Sequence, residues 1–141
     1  MSMDTLDIIL LSILGGTIVI GSVMFFLAGI YKVKKDKAMV IEKSEQFYGI
    51  YKEGLYFFMP VLYKRKGVYT LVPMEKDIHI DGLRDMVITY QVVDVKKYHY
   101  YEGDVELKIQ STYEKFPNLD EETLRNELEN IGIKYISIRG K

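Results

Sequence analysis

The sequence contains no cysteine and no tryptophan, and only 2 of its residues are histidines. Without cysteine the chain has no disulfide, no thiolate metal site and no cysteine nucleophile, and this composition fits a reducing compartment. His79 and His99 have no second ligand at metal-binding spacing, so we interpret both as surface or half-buried side chains. We therefore expect no metal site and no cofactor.

Motifs of the common catalytic classes are also missing. There is no phosphate-binding P-loop, no dinucleotide fingerprint, no H-E-x-x-H and no G-x-S-x-G. The acidic run Asp120, Glu121 and Glu122 is explained by a helix start, where carboxylates are stabilised. We expect no enzymatic activity, and an enzyme with an unrecognised site stays as the least favoured hypothesis. A net charge of −1 also gives no reason to expect a nucleic-acid partner.

None of the 19 lysines and arginines lies in segment 1–31, and residues 8–30 carry no charge of either sign. As a helix, this uncharged run would be about 34 Å long, enough to cross a hydrocarbon core of about 30 Å. A buried core helix and a cleaved signal peptide are the alternatives. A signal peptide has a basic N-terminal region, whereas this segment has Asp4 and Asp7 there. We interpret residues 1–31 as a transmembrane anchor.

Lysines cluster directly after this run, whereas acidic residues precede it. Cytoplasmic flanks of membrane helices carry an excess of lysine and arginine. We therefore expect the N-terminus outside and the C-terminal domain in the cytoplasm. The cluster forms a basic juxtamembrane connector at residues 32–37 and consists of Lys32, Lys34, Lys35 and Lys37.

Small residues spaced four apart occur twice within the apolar run, as Ser12 with Gly16 and as Thr17 with Gly21. Such spacing lets two membrane helices approach each other closely. We hypothesise that these residues pack against another helix, in a homo-oligomer or with a partner membrane protein.

Residues 38–141 show the periodicity of several strands and one late helix. The helix is expected after a cap at Asn118. Its apolar stripe, at helical spacing, consists of Leu124, Leu128 and Ile131. The stretch 105–113 fits a strand or a short helix, and we favour a strand. Strands are also expected at 38–41, 47–51, 68–72, 76–81, 86–95 and 133–138. This order predicts an α+β domain with a mostly antiparallel sheet.

Three stretches follow one another in the order in which similar motifs occur in a known domain: EGLYFFMP at 53–60, VITYQVVDVKKYHY at 87–100 and LRNELENIGIKYISIRGK at 124–141. Together they resemble the stomatin/prohibitin/flotillin (SPFH, band-seven) domain. The first is similar to the family's PGLHFxxP-like turn, with Glu53 where the family usually has proline. The second is similar to its strand with a YxVxD pattern, and the third to its closing helix, glycine and strand.

The resemblance implies a small SPFH-like domain at 38–141 that lies close to a membrane. The family's helical stretch before the closing helix is shortened here to about 105–117. Relatives continue beyond the closing strand into a coiled coil, whereas this sequence stops at Lys141. The resemblance therefore implies a short form without the coiled coil, and whether this form can build the family's large rings or cages stays open.

The apolar run 56–63, followed by three cations, has two interpretations. One is a buried strand with its turn. The other is a shallow membrane contact, in which apolar side chains enter the cytoplasmic leaflet and the cations bind anionic headgroups. The residues of that hypothetical contact are Phe57, Phe58, Met59, Lys64, Arg65 and Lys66.

Two functional hypotheses follow, and both have membrane lipids as partners. The first is a non-enzymatic, membrane-anchored scaffold that self-associates or organises partner membrane proteins at the cytoplasmic face. The second is a small regulatory subunit that binds one membrane enzyme, protease or transporter.

Overall fold

The computed structural model describes residues 4–80, 82, 85–116 and 118–141. The described part is an α+β chain with one long N-terminal helix and three antiparallel sheets. Its helices are α1 (Thr5–Ala28), α2 (Val95–Tyr100), α3 (Val105–Lys115) and α4 (Glu121–Glu129). Its strands are β1 (Ile30–Val33), β2 (Lys37–Lys43), β3 (Gln46–Tyr51), β4 (Gly54–Phe57), β5 (Tyr63–Thr70), β6 (Met74–Ile78), β7 (Met86–Val92) and β8 (Ile133–Gly140).

Helix α1 is long and apolar enough to cross a membrane, and the rest of the described chain buries none of its residues. The three hydroxyls in its uncharged run are satisfied within the helix. The hydroxyls of Ser12, Thr17 and Ser22 donate to the carbonyl oxygens four residues earlier, at 2.8, 2.9 and 2.8 Å. Because each hydroxyl has an internal acceptor, this helix carries little uncompensated polarity into an apolar medium.

The first half of the domain is a two-stranded ribbon, β1 with β4, beside a sheet of order β3-β2-β5. Strand β2 is buried on both faces, which explains its continuous apolar run. One face joins the cluster Val33, Met39, Ile41 and Phe58. The other face joins the cluster Ala38, Val40, Val92 and Val95.

The basic connector expected at 32–37 begins inside an ordered strand, because β1 spans Ile30–Val33.

The second half is the sheet β6-β7-β8 covered by α3 and α4. The apolar stripe of the late helix is confirmed: Leu124 and Leu128 are buried with Ile131 against this sheet. The helix begins later than expected, because the Asp120 side chain, and not that of Asn118, caps it by accepting a hydrogen bond from the Thr123 amide at 2.9 Å.

In this half one sequence prediction of strand is wrong, and another extends three residues too far. The stretch 105–113 lies in helix α3, whose buried Val105, Ile109 and Thr112 have helical spacing. The strand expected at 86–95 ends at Val92, because Asp94 accepts a hydrogen bond from the Lys97 amide and starts α2. The strand expected at 76–81 ends at Asp81, and the helical stretch that the resemblance puts at 105–117 ends at Pro117. Both of these end residues lie outside the described residues.

Helix α2 connects the two halves of the domain through polar contacts. The Tyr100 hydroxyl donates to Oε1 of buried Glu42 at 2.8 Å, and Lys66 Nζ lies 3.4 Å from the other carboxylate oxygen. The hydrogen bond from Tyr100 holds the pKa of Glu42 below its usual value, although burial acts in the opposite direction. Beside it, the Tyr69 hydroxyl and His99 Nδ1 are 2.5 Å apart.

Candidate membrane-contacting site

The end of α1 is packed directly against the β1/β4 ribbon. The Phe58 amide donates to the Gly29 carbonyl oxygen at 2.9 Å. A Cβ atom on Gly29 would lie 2.5 Å from the Phe58 carbonyl oxygen and 2.6 Å from Cε2 of Phe57. Since Gly29 has an ordinary right-handed φ of −87°, glycine is needed here for space and not for its backbone freedom.

Phe57 stacks on the last turn of α1. Its ring lies 4.6 Å from that of Phe26, with an interplanar angle of 22°, a geometry typical of favourable aromatic pairs. Phe57 nevertheless stays 47% exposed. The side chain therefore continues the apolar surface of α1 onto the domain.

Phe58 points the other way and is only 8% exposed. Its ring centroid is 4.9 Å from that of Tyr51 and 5.5 Å from that of Tyr63. Burial raises the pKa of Tyr51, and neighbouring Tyr48 raises it further. The rings around Phe58 are those of Tyr31, Tyr48, Tyr51, Tyr56 and Tyr63. We call this group the tyrosine cluster.

The outward face of the ribbon carries an apolar-to-basic gradient. Ile30 pairs with Phe57 at the end beside α1, and Lys32 pairs with Leu55 farther along. Because side chains alternate along a strand, these four share one face, opposite the tyrosine cluster. Leu55 is 70% exposed and, with half-exposed Phe57 on the same face, forms an exposed apolar patch.

The loop after β4 exposes further apolar groups. The Leu62 and Tyr63 amides donate to the Met59 carbonyl oxygen at 3.1 and 3.0 Å, forming a turn. This turn leaves Met59 47% exposed and Val61 72% exposed, with Leu62 also in contact with solvent. Since the loop directly follows Phe58, it starts at the end of α1.

The three expected cations do not form one patch. They lie on strand β5, where alternation sends neighbouring side chains to opposite faces. Arg65 lies over the Tyr31 ring, 5.7 Å from its centroid, whereas Lys66 pairs with buried Glu42. Lys64 is exposed. Of the six residues expected to contact lipid, Phe57 and Met59 are thus half-exposed beside α1, Phe58 is core, and the cations are divided between two faces.

The four small residues expected to pack against another helix are all exposed on α1. A Cβ atom on Gly16 or Gly21 would meet nothing within 4 Å. At about 100° per residue, the pair Ser12 and Gly16 is turned about 140° from the pair Thr17 and Gly21. The two pairs therefore form two separate faces of the helix.

The described residues hold no group of three or more histidine, cysteine or acidic side chains able to bind a metal. His79 Nδ1 lies 2.6 Å from Oδ1 of Asp85, and this hydrogen bond lowers the pKa of Asp85. Sequence reasoning missed Gly29, Ile30 and Leu55 as site residues. The sequence feature that could have indicated them is the absence of any spacer between the apolar run and the β-prone residues that follow it.

Comparison of the sequence with protein-family models gives no match, and comparison with curated proteins gives none either.

Proposed function

We propose that this protein is a single-pass membrane protein whose α+β domain lies against the cytoplasmic face of the bilayer. The observation that carries the proposal is the junction at Gly29, where α1 meets the ribbon without a flexible spacer. The Phe26–Phe57 stack holds the ribbon beside the last turn of α1. A domain attached this closely to a membrane-spanning helix has no freedom to move far from the bilayer.

The charges at the two ends of α1 support the orientation. Asp4 and Asp7 lie at its N-terminal end, and the four lysines of segment 32–37 lie at its C-terminal end. The inner flanks of membrane helices are rich in lysine. The domain therefore belongs in the cytoplasm and the N-terminus outside.

Within this arrangement the domain acts as a non-enzymatic scaffold that self-associates or organises partner membrane proteins. The SPFH-like order of motifs supports this class of function. Two exposed faces of α1, one with Ser12 and Gly16 and the other with Thr17 and Gly21, offer close-packing surfaces to neighbouring helices. Two faces on one helix would allow each copy to touch two neighbours.

The test is the mass of the full-length protein purified in mild detergent, after subtraction of the bound detergent. We expect an assembly of several copies of the 16.4 kDa chain. Gly21→Ile should reduce the number of copies by blocking one face, whereas Ser22→Ile, at an exposed position that points between the two faces, should not. A 16.4 kDa species that co-purifies with one different protein would contradict self-association and favour a small regulatory subunit.

A further inference from the structure

A groove with a volume of about 520 Å³ opens at the end of the ribbon that points away from α1. Leu55, which is 70% exposed, gives it an apolar wall, and Val33 and Gly54 also line it. The polar groups that line it are Lys32, Lys34, Lys35 and Glu53. Three cations against one carboxylate give the groove a positive charge.

The groove lies within reach of the headgroups if α1 spans the bilayer. The Phe26–Phe57 contact puts Ile30 and Phe57 at the edge of the hydrocarbon. Strands rise about 3.3 Å per residue, so Lys32 and Leu55 lie at most about 7 Å beyond that level. Each headgroup layer is about 5–8 Å thick. Lys32 and Leu55 therefore fall at the depth of the lipid phosphates.

We propose that this groove and the apolar face leading into it form a binding site for one anionic phospholipid of the cytoplasmic leaflet. The headgroup phosphate lies among Lys32, Lys34 and Lys35. The upper acyl chain runs along Leu55 and Phe57 towards α1. The site rests on the proposed function, because it requires α1 to cross the membrane.

An anionic phospholipid fits this surface better than a soluble anion. A soluble anion would engage the lysines but leave Leu55, 70% exposed, in water. A neutral lipid would cover Leu55 and Phe57 but leave the clustered lysines without a counter-charge. The apolar strip is also continuous with the lipid-facing surface of α1 through Phe57. One molecule with an acyl chain and an anionic headgroup accounts for all these features.

The absence of tryptophan makes a direct test simple. Leu55→Trp puts a single tryptophan, which can be excited selectively above the tyrosine absorption, at an exposed position on the proposed site. The full-length protein is reconstituted into vesicles of phosphatidylcholine that contain an equal fraction of either brominated phosphatidylglycerol or brominated phosphatidylcholine. Bromine in the upper acyl chain quenches a nearby tryptophan. We expect phosphatidylglycerol to be preferred about fivefold over phosphatidylcholine, the selectivity of roughly one lysine–headgroup contact.

Two charge variants in the Leu55→Trp background distinguish lipid binding at this site from general electrostatic attraction between the protein and anionic lipids. Changing Lys32, Lys34 and Lys35 to glutamine should abolish the preference for phosphatidylglycerol. Changing three exposed lysines elsewhere, Lys97, Lys115 and Lys134, to glutamine removes the same charge and should leave it unchanged. Equal quenching by both lipids, or equal loss of preference in both variants, overturns the lipid site.

A second reporter distinguishes failure of the site from failure of the anchor. Ile18→Trp lies at an exposed position in the middle of α1 and should be quenched equally by both brominated lipids. Quenching at Ile18→Trp with no lipid preference at Leu55→Trp overturns only the lipid site. No quenching at Ile18→Trp overturns the membrane anchor and the lipid site together.

Discussion

Replacing Gly29 by alanine tests whether α1 and the domain form one packed unit. The added Cβ atom would lie 2.5 Å from the Phe58 carbonyl oxygen, a backbone atom that cannot rotate away. Relief requires the chain around Phe58 to shift, which weakens the Phe58 amide–Gly29 carbonyl hydrogen bond and the Phe26–Phe57 stack. Overpacking of this kind costs about 1–3 kcal/mol, and each lost contact is worth about 1 kcal/mol.

The assay is amide hydrogen exchange of the full-length protein in detergent micelles, followed in peptides that cover 54–63. Local opening made easier by about 1–3 kcal/mol speeds exchange roughly 5- to 150-fold. Gly15→Ala is the matched control, because its Cβ atom meets nothing within 4 Å and Gly15 belongs to neither small-residue pair. If both variants exchange at the same rate as the unmodified protein, α1 does not pack on the ribbon and the reasoning fails.

Three further predictions concern the domain itself. Leu128→Ala should lower the free energy of unfolding by about 2–5 kcal/mol through lost burial and a cavity, seen as a lower melting temperature; an unchanged melting temperature would mean that the α4 stripe is not core. A fragment 30–141 should melt at a higher temperature than a fragment 38–141, because the shorter one lacks β1 and exposes the edge of β4; equal melting would show that β1 contributes nothing. Tyr100 lowers the pKa of Glu42 below the ordinary value of 4.5. The stabilisation contributed by ionised Glu42 is therefore fully present above pH 4.5 and is lost as the pH falls through the lowered pKa. Tyr100→Phe should reduce this loss of stability at acidic pH, measured as melting temperature against pH. An unaltered pH dependence would contradict the Tyr100–Glu42 hydrogen bond.

Local sequence signals predicted the elements whose partners lie close in the chain. The length of the uncharged apolar run predicted α1, and the helical spacing of Leu124 and Leu128 predicted the buried stripe of α4; both agree with the structure. The strand assigned to 105–113 failed because β-branched Val105 and Ile109 favour a strand locally, whereas packing on the second sheet selects a helix.

The candidate site was less predictable because it depends on which way side chains point. Phe57, Phe58 and Met59 are adjacent in sequence, but β4 ends there and only Phe58 enters the tyrosine cluster. Likewise, successive cations at 64–66 suggested one patch, yet a strand sends Arg65 to the face opposite Lys66. The role of Leu55 depends on its pairing with Lys32, a contact between segments that no local pattern specifies.

The central claim, a membrane-spanning α1 with the domain inside, is tested most directly by single-cysteine labelling in intact cells. The chain has no native cysteine, so Asp4→Cys and Ser137→Cys each introduce one reactive thiol, both at exposed positions. A maleimide that cannot cross membranes should label Asp4→Cys in intact cells and Ser137→Cys only after lysis. Labelling of Ser137→Cys in intact cells, or of neither position until lysis, would contradict this account.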